Sequence, residues 1–174
     1  MQQDYTTLTG KERRFLPDEF IVSKTDAKGI VTYANDVFLR IADYSIDEVL
    51  GKPHNLIRHP HMPRCVFKLL WQQIKAGKEI FAYVVNRTKF GDHYWVLAHV
   101  TPSFDAAGDI IGYHSNRRAP KPETVAKVEP LYKQLREMED SASTPQSGVE
   151  ASMLALQSWV DKNGGNYDEL ILSL

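Results

Sequence analysis

The sequence predicts an α+β fold in which helices cover one face of a five-stranded antiparallel sheet. Two short β-rich runs come first, several helical patterns follow, and three longer β-rich runs complete this part of the 174-residue chain. Strands that are separated from helices along the sequence are typical of α+β folds, whose helices pack on one side of the sheet.

The first hairpin is predicted by two β-rich runs, residues 20–26 and 30–33, which flank a glycine-containing turn at residues 26–29. Runs of this kind joined by a short turn favour antiparallel pairing. Asn35 then precedes an apolar run and is a candidate N-cap for a first helix, because asparagine accepts hydrogen bonds from the free amides of a helix start.

Two further helices are predicted between the hairpin and the second group of strands. Ser45 and Glu48 have the spacing of a capping box, which predicts a short helix that ends at Gly51. Apolar residues recur at helical spacing over residues 62–76 and predict a longer amphipathic helix. Trp71 belongs to the apolar stripe of that helix and is predicted to be a core residue.

Three long strands are predicted after this helix, over residues 80–88, 94–104 and 110–117. Two tight turns that contain glycine separate them, and this arrangement is typical of an antiparallel meander. Beyond them, an apolar stripe predicts another helix, a Ser/Thr/Pro/Gly segment has the composition of a linker, and a second amphipathic pattern follows. The predicted organisation is an N-terminal arm with some helical potential (1–18), a main domain (19–120), an exit helix (121–140), a linker (141–148) and a C-terminal helical appendage (149–174).

Composition excludes several classes of protein. The net charge is −1, and lysine and arginine are dispersed, whereas nucleic-acid binding and polybasic membrane anchoring depend on concentrated cationic charge. No apolar run of about 18 residues exists, so no membrane insertion is predicted. Cys65 is the single cysteine, which excludes an intrachain disulfide and cysteine-rich zinc sites. We therefore expect a cytoplasmic protein.

Three segments carry a resemblance to a known family. Residues 30–36 read IVTYAND, residues 51–63 read GKPHNLIRHPHMP, and residues 86–96 read NRTKFGDHYWV. With these segments the chain resembles the PAS family and, within it, the sensory domain of bacterial aerotaxis receptors, over about residues 20–135. His61 departs from that pattern, which usually has aspartate after Arg-His-Pro.

The resemblance implies a flavin, FAD in the first place and FMN as an alternative, held noncovalently between the sheet and the helices. The redox state of the flavin would report oxygen or electron-transport status to a signalling partner, as in aerotaxis. No nucleophile elbow, phosphate-binding loop or paired metal motif is present. We therefore predict neither an enzyme nor a metal site. The nearest segment to the Asn-Cys-Arg-Phe motif of light-sensing relatives has no thiol, so no photochemical adduct is expected.

Candidate cofactor contacts on the sheet follow from strand alternation together with the resemblance. Val96 and Ala98 share a strand face, which corresponds to the inward face of the family, and their small side chains leave room for a planar ring. Asn86 matches the position at which related flavin-binding photoreceptors present an amide to the ring. An amide suits the uracil-like edge of isoalloxazine because it has both a donor and an acceptor. The alternative for Asn86 is a strand-end turn residue.

The resemblance places further contacts on other segments. His114 corresponds, by the same alignment, to a glutamine near flavin N5, where a titratable ring would couple reduction to proton movement. Its alternative is a half-buried strand histidine. Arg58 and His59 lie in the segment that aerotaxis relatives need to retain flavin, and Arg58 suits phosphate oxygens, with a surface ion pair as its alternative. Asn35 and Asn55 belong to the shared segments and are further candidates.

Large apolar side chains on the opposite face of the sheet, among them Tyr83 and Trp95, need a cover. The N-terminal arm, the exit helix or a second copy of the chain would supply it. A homodimer through the outer sheet face and the N-terminal arm is therefore predicted, since PAS relatives often dimerise there.

Two other functions are compatible with the same fold. A sensor that binds haem b would need an axial histidine, with His59 or His114 as candidates. A cofactor-free dimerisation or docking module would have its pocket filled by side chains, and its C-terminal helix would bind a partner. Packing of that helix back onto the sheet is the simpler alternative.

Overall fold

The computed structural model describes residues 7–174 and confirms the predicted α+β fold. The strands are β1 (Ile21–Asp26), β2 (Val31–Ala34), β3 (Ile80–Arg87), β4 (His93–Phe104) and β5 (Ile110–Arg118). The helices are α1 (Asp36–Ala42), α2 (Ile46–Val49), α3 (Arg64–Lys75), α4 (Pro122–Ser141), α5 (Pro145–Lys162) and α6 (Tyr167–Ser173). A 3-10 turn, His54–Ile57, lies between α2 and α3. All pairings in the sheet are antiparallel, in the order β2-β1-β5-β4-β3.

Local hydrogen bonds explain why the short helices form. The Oδ1 atom of Asn35 accepts from the amides of Phe38 and Val22, both at 3.0 Å, so one side chain caps α1 and fixes it to β1. Ser45 and Glu48 form the predicted capping box at the start of α2. These caps satisfy amides that have no partner within the helix.

Strand register decides which side chains face the helices. Ala82 lies opposite Ala98, and Asn86 lies opposite Tyr94, in the β3–β4 ladder. Paired residues share a face of the sheet, and successive residues alternate between faces. The inner face, toward α3, therefore holds the alternating sets Ile80 to Asn86 on β3, Tyr94 to Val100 on β4 and Tyr113 to Arg117 on β5.

Helices α4 and α6 both contribute to the cover of the outer face at β3 and β4. The hydroxyl of Tyr132 donates to the carbonyl oxygen of Tyr83 at 2.6 Å, and its ring lies 6.0 Å from that of Trp95. Tyr83, Val85 and Trp95 are buried in the single chain. The region of the outer face at β3 and β4 therefore needs no second copy to cover it.

The N-terminal arm was predicted to have some helical potential, and this is wrong for residues 7–18. Part of this segment is extended and pairs with the start of β4: the Arg13 amide donates to the His93 carbonyl at 2.7 Å, and the His93 amide to the Lys11 carbonyl at 2.9 Å. Arg13 also forms ion pairs with Asp43 and Asp92. Edge pairing of this kind satisfies backbone groups that a helix would satisfy internally. Residues 1–6 of the predicted arm lie outside the described residues.

The predicted linker over residues 141–148 is mostly helical. Helix α5 begins at Pro145, where Thr144 caps the helix by accepting from the Ser147 amide at 3.1 Å. A Cβ atom at Gly148 would lie 2.6 Å from the carbonyl oxygen of Glu139. The Ser/Thr/Pro/Gly composition therefore encodes a helix cap and a close α4–α5 crossing, with a connection of three residues between the helices.

Glu139 joins the C-terminal helices to the main domain. Its buried carboxylate accepts from the backbone amides of Arg64 and Cys65, both at 2.9 Å, at the start of α3. It also accepts from the Ser152 hydroxyl on α5 at 3.0 Å and pairs with Arg136 at 3.1 Å. Pro63 occupies the N-cap position of α3, and its side chain has no hydrogen-bonding atom with which to cap the helix. Glu139 supplies the cap from α4 instead.

Candidate functional site

A cavity of about 270 Å³ lies between the inner face of the sheet, α3 and the 3-10 turn. Its volume is close to the lower end of the range of about 300–1,000 Å³ for small-molecule sites. The lining is mainly apolar and aromatic, with a few polar groups, as such sites usually are. The residues that the argument below uses are Ser23, Lys28, His54, Asn55, Arg58, Phe67, Trp71, Asn86, Ala98, Tyr113, Ser115 and Arg117.

Aromatic side chains from the helical side and the sheet form part of this lining. Trp71 on α3 packs edge-on against Tyr113 on β5, with ring centroids 5.5 Å apart. The guanidinium carbon of Arg58 lies 4.1 Å from the ring centroid of Phe67, which is a cation–π contact. Ala98 lines the sheet side, where its small side chain leaves space. The shape and lining are suited to a flat apolar ring.

Asn86 presents an amide to this cavity. The residue is 4% exposed and lines the cavity wall, and its backbone forms an antiparallel bridge with Arg58. Its side chain makes no hydrogen bond with any residue of the described range 7–174. One donor and one acceptor group are therefore available to a bound molecule.

A buried guanidinium lies in the same wall. Arg117 on β5 is 3% exposed; its Nε donates to the Ser115 hydroxyl at 2.8 Å, and its Nη2 donates to the Ser23 hydroxyl. Nη2 also lies 2.9 Å from Nε2 of His54. The Nη1 atom is buried and has no hydrogen-bond partner in the part of the chain that the structure describes.

These contacts define the protonation of His54. An arginine has no acceptor atom, so Nε2 of His54 must be the acceptor and the proton of the neutral ring lies on Nδ1. Burial and, to a smaller extent, the neighbouring charge of Arg117 lower the pKa of His54 to about 3. Burial also lowers the pKa of Arg117 to about 10, which leaves it protonated at neutral pH.

The charged side chains of the described residues that line this cavity are all cationic. Its lining includes three cationic side chains, Lys28, Arg58 and Arg117, and no carboxylate among the described residues. Lys28 is exposed, Arg58 is half-buried and Arg117 is buried. The cavity is therefore suited to a ring whose attached groups are anionic or rich in acceptor oxygens.

Comparison with known proteins identifies the fold that carries this cavity. The PAS fold family matches residues 31–117, which is half of the chain. The chain belongs to the PAS family.

Parts of two larger proteins are similar to this PAS chain. It is 37% identical to the aerotaxis receptor of Escherichia coli K12 over a match of 145 residues. This match covers 83% of this chain and 28% of the receptor. It is 29% identical over 111 residues to phototropin-1A of Oryza sativa subsp. japonica, which covers 60% of this chain and 11% of that protein. The chain thus spans less than a third of either relative.

A solved structure supports the fold alone. The light-oxygen-voltage domain studied with a flavin analogue superposes with a TM-score of 0.56 at 17% identity, over 66% of this chain and 86% of that domain. Within residues 7–174 of the PAS chain, no helix is both long enough and apolar enough to cross a membrane. The same residues contain no group of three or more His, Cys, Asp or Glu side chains arranged to hold a metal ion.

The prediction that His114 lines the PAS cavity is wrong. His114 pairs with Lys24 on β1 and Thr101 on β4, whereas its neighbours Tyr113 and Ser115 line the cavity. Alternation along β5 therefore directs His114 to the outer face. Burial lowers its pKa, with contributions from the charge of Lys24 and from His99.

His59 also lies away from the cavity, contrary to prediction. Its ring is buried beside His61 and His93, at centroid distances of 4.8 and 5.8 Å, while Arg58 lines the cavity. The backbone is extended at Arg58, so consecutive side chains point in opposite directions. Burial lowers the pKa of His59 to about 4, with smaller contributions from the nearby imidazoles of His61 and His93 and from the charge of Arg87.

The remaining predicted contacts divide between cavity and core. Asn55 lines the cavity. Val96 faces the same side of the sheet but is fully buried in the core beyond the cavity. Asn35 is occupied as a helix cap, and its Nδ2 donates to the Phe20 carbonyl at 2.8 Å, so it does not reach the cavity. Cys65 is buried at the start of α3, and burial raises the pKa of its thiol to about 11.

Sequence reasoning placed His54 in the segment shared with the aerotaxis receptors but missed its cluster with Ser23 and Arg117, and it favoured the core over cofactor contact for Trp71. Trp71 faces both the core and the cavity. The signal for the cluster was that Tyr113, Ser115 and Arg117 stand at every second position of β5 and therefore share one face. Only knowledge of which face is inward makes that signal useful.

Proposed function

We propose that this chain is a cytoplasmic PAS sensor that binds a flavin, FAD in the first place, noncovalently in the cavity. The redox state of the bound flavin reports redox or oxygen status to a signalling protein. The observation that carries this proposal is a ring-sized cavity with the free amide of Asn86 in its wall, three cations in its lining and no described carboxylate. When bound, a flavin supplies reversible electron transfer.

The residues present fit a flavin. Trp71 and Tyr113 supply aromatic contacts, and Ala98 leaves room on the sheet side. Asn86 is suited to bind the part of the ring that carries adjacent donors and acceptors. Lys28 and Arg58 lie nearer to solvent and are suited to bind phosphate oxygens on the chain attached to the ring.

Haem binding is less well supported by the geometry. Neither His59 nor His114, the two candidate axial ligands, lines the cavity. His54 does line it, but its Nε2 atom accepts from Arg117, and its Nδ1 atom carries the proton. A haem iron would have to displace the hydrogen bonds of a buried cation to reach that nitrogen.

A cofactor-free module is also less well supported, because such a domain would fill the space with its own side chains. An open cavity lined by Ala98 and a free Asn86 amide is the opposite arrangement. The amphipathic α5 packs against α4 and α3 in the single chain, so its apolar face is largely used. Partner docking through α4 and α5 nevertheless remains compatible with a flavin sensor.

The direct test is the absorbance spectrum of the purified full chain. We expect flavin bands that bleach on chemical reduction, and FAD, rather than FMN, in the chromatogram of the heat-released cofactor. Asn86→Ala should weaken FAD binding about 10-fold, since it removes hydrogen bonds in a buried site. The matched control Asn116→Ala, on the outer face of β5, should bind as the parent does. A colourless protein that cannot be loaded with FAD or FMN would overturn the proposal.

A homodimer remains part of the proposal, with a smaller interface than the sequence implied. Helix α4 covers the outer face at β3 and β4, whereas Lys24 and Tyr33 are exposed on the outer face at β1 and β2. Light scattering on the purified chain, with Tyr33→Asp as the variant, tests this. A monomer at all concentrations would remove the dimer and leave the flavin site unaffected.

A further inference from the structure

Arg117 carries a buried positive charge that its described neighbours do not neutralise. Its guanidinium is buried and protonated at neutral pH, and no carboxylate in the described residues pairs with it. Taking a charge out of water is costly unless an opposite charge or a full set of hydrogen bonds replaces the water. Two of its three nitrogens have partners, and Nη1 has none among the described residues.

The protein holds this guanidinium in a fixed orientation. Ser115 accepts from Nε, while Ser23 and His54 accept from Nη2, so two sides of the planar group are tied to three different segments. Ser23 and His54 also hydrogen-bond to each other at 2.9 Å. All three partners are neutral, so they orient the positive charge without cancelling it.

We propose that Arg117 is the residue that selects the charge state of the ligand in the cavity, by binding the form that carries more negative charge. This inference rests on the proposed flavin site and adds to it. When a flavin takes two electrons from an external donor and one proton from solvent, the ring gains one negative charge. A fixed, unneutralised guanidinium in the cavity wall stabilises that form relative to the oxidised ring.

A purely structural role for Arg117 predicts a different result. If the side chain only joins β1, β5 and the 3-10 turn, its loss would weaken binding of oxidised and reduced ligand by the same factor. The charge-selecting role predicts unequal factors. The ratio of the two dissociation constants therefore separates the two roles, whatever happens to affinity overall.

The experiment uses the full chain with FAD, and with FMN as a second probe, under anaerobic conditions with dithionite as reductant. We would measure Kd for oxidised and reduced flavin and the midpoint potential for the parent, Arg117→Gln and Arg117→Lys. In Arg117→Gln, binding of the reduced form should weaken at least 10-fold more than binding of the oxidised form, and the midpoint potential should become more negative. Arg117→Lys should recover most of the difference because it keeps the charge.

The control is Arg118→Gln, which removes the same charge one residue further along β5, on the outer face. It should leave both dissociation constants unchanged. Equal weakening of both redox forms in Arg117→Gln, or no change, would overturn the inference and leave the proposed function intact. Failure of the parent to bind either flavin would instead overturn the proposed function. If Arg117→Gln does not fold by circular dichroism, Arg117→Lys and Arg117→Met provide the charged and neutral arms.

Discussion

Two buried ionic groups in this protein differ in how completely the fold satisfies them. Glu139, between α4 and α3, accepts two backbone amides and a serine hydroxyl and pairs with Arg136. Arg117, in the cavity wall, has three neutral acceptors, an unpartnered Nη1 among the described residues and no described carboxylate. The first is complete in the protein alone, and the second is not.

The difference separates a charge that stabilises the fold from a charge that is available to a ligand. A buried charge that is fully paired fixes the packing of its surroundings, and its removal leaves the partners unsatisfied. A buried charge without a counterion stabilises little in the free protein and gains its partner when a ligand binds. The Glu139 site thus holds the C-terminal helices in place, and the Arg117 site belongs to the proposed flavin cavity.

Loss of the Glu139 carboxylate should have the largest effect on stability. Glu139→Ala is expected to lower the free energy of unfolding by about 3 kcal/mol, because the start of α3 loses its cap and Arg136 keeps only Asp140 as an ion-pair partner. Urea unfolding of the purified protein measures this. Glu137→Ala, an exposed position on the same helix, should change the value by less than about 0.5 kcal/mol. Equal effects would remove the contrast between the two sites.

The pH dependence of the free energy of unfolding should report the protonation state of His54, which belongs to the Arg117 site. Its pKa in the folded protein is about 3, below the unfolded value of about 6.5. Between these values the unfolded chain binds the proton and the folded chain does not, so stability is lost as the pH falls below about 6.5. His54 should account for up to about 3 kcal/mol between pH 7 and pH 4.

His54→Gln keeps an acceptor for Arg117 and does not titrate, so its urea midpoint should fall less steeply over this pH range than that of the parent. His61→Gln removes another histidine, at an exposed position, and should change the slope less than His54→Gln does. Parallel curves for His54→Gln and the parent would contradict the buried, neutral state assigned to His54.

Gly148→Ala tests the close approach of α5 to α4 at the Glu139 site. Gly148→Ala is expected to destabilise the protein by about 1–2 kcal/mol, because the new Cβ would lie 2.6 Å from the Glu139 carbonyl oxygen and force the helices apart. The gain in helix propensity, about 1 kcal/mol, offsets only part of this cost. Ser158→Ala, on the exposed side of α5, should be neutral or stabilising in the same thermal or urea assay.

The smallest effect is expected for Arg117→Met in the ligand-free protein. Replacing a buried unpaired cation with an apolar side chain of similar size should change the free energy of unfolding by less than about 1 kcal/mol. The same variant should lose more of the stabilisation that reduced FAD gives the parent than of the stabilisation that oxidised FAD gives, as measured by anaerobic thermal shift. A loss as large as that for Glu139→Ala, without ligand, would show that Arg117 is structural.

Several parts of the fold and site follow from sequence patterns. The capping box at Ser45, the alternation that puts Val96 and Ala98 on one face of β4, and the antiparallel meander are all local, and the structure reproduces them. Local composition was misleading at residues 145–148, because serine, proline and glycine serve equally in linkers and in helix starts. The glycine there is required by a distant backbone atom that no local pattern contains.

Sequence alone determined the order of the elements and sorted each strand into two alternating sets, because alternation and capping depend only on neighbouring residues. Alternation along β5 did not determine which face is inward, and the resemblance pointed to the face of His114, which the structure places outside. Tertiary structure decided that point through the pairing of β5 with β1, which is distant in sequence, and through the packing of α3 and the 3-10 turn on one face of the sheet. The pairing of β5 with β1 brought Ser23 to Arg117, and the 3-10 turn brought His54. Together they surround a positive charge in the cavity wall that has no described counterion.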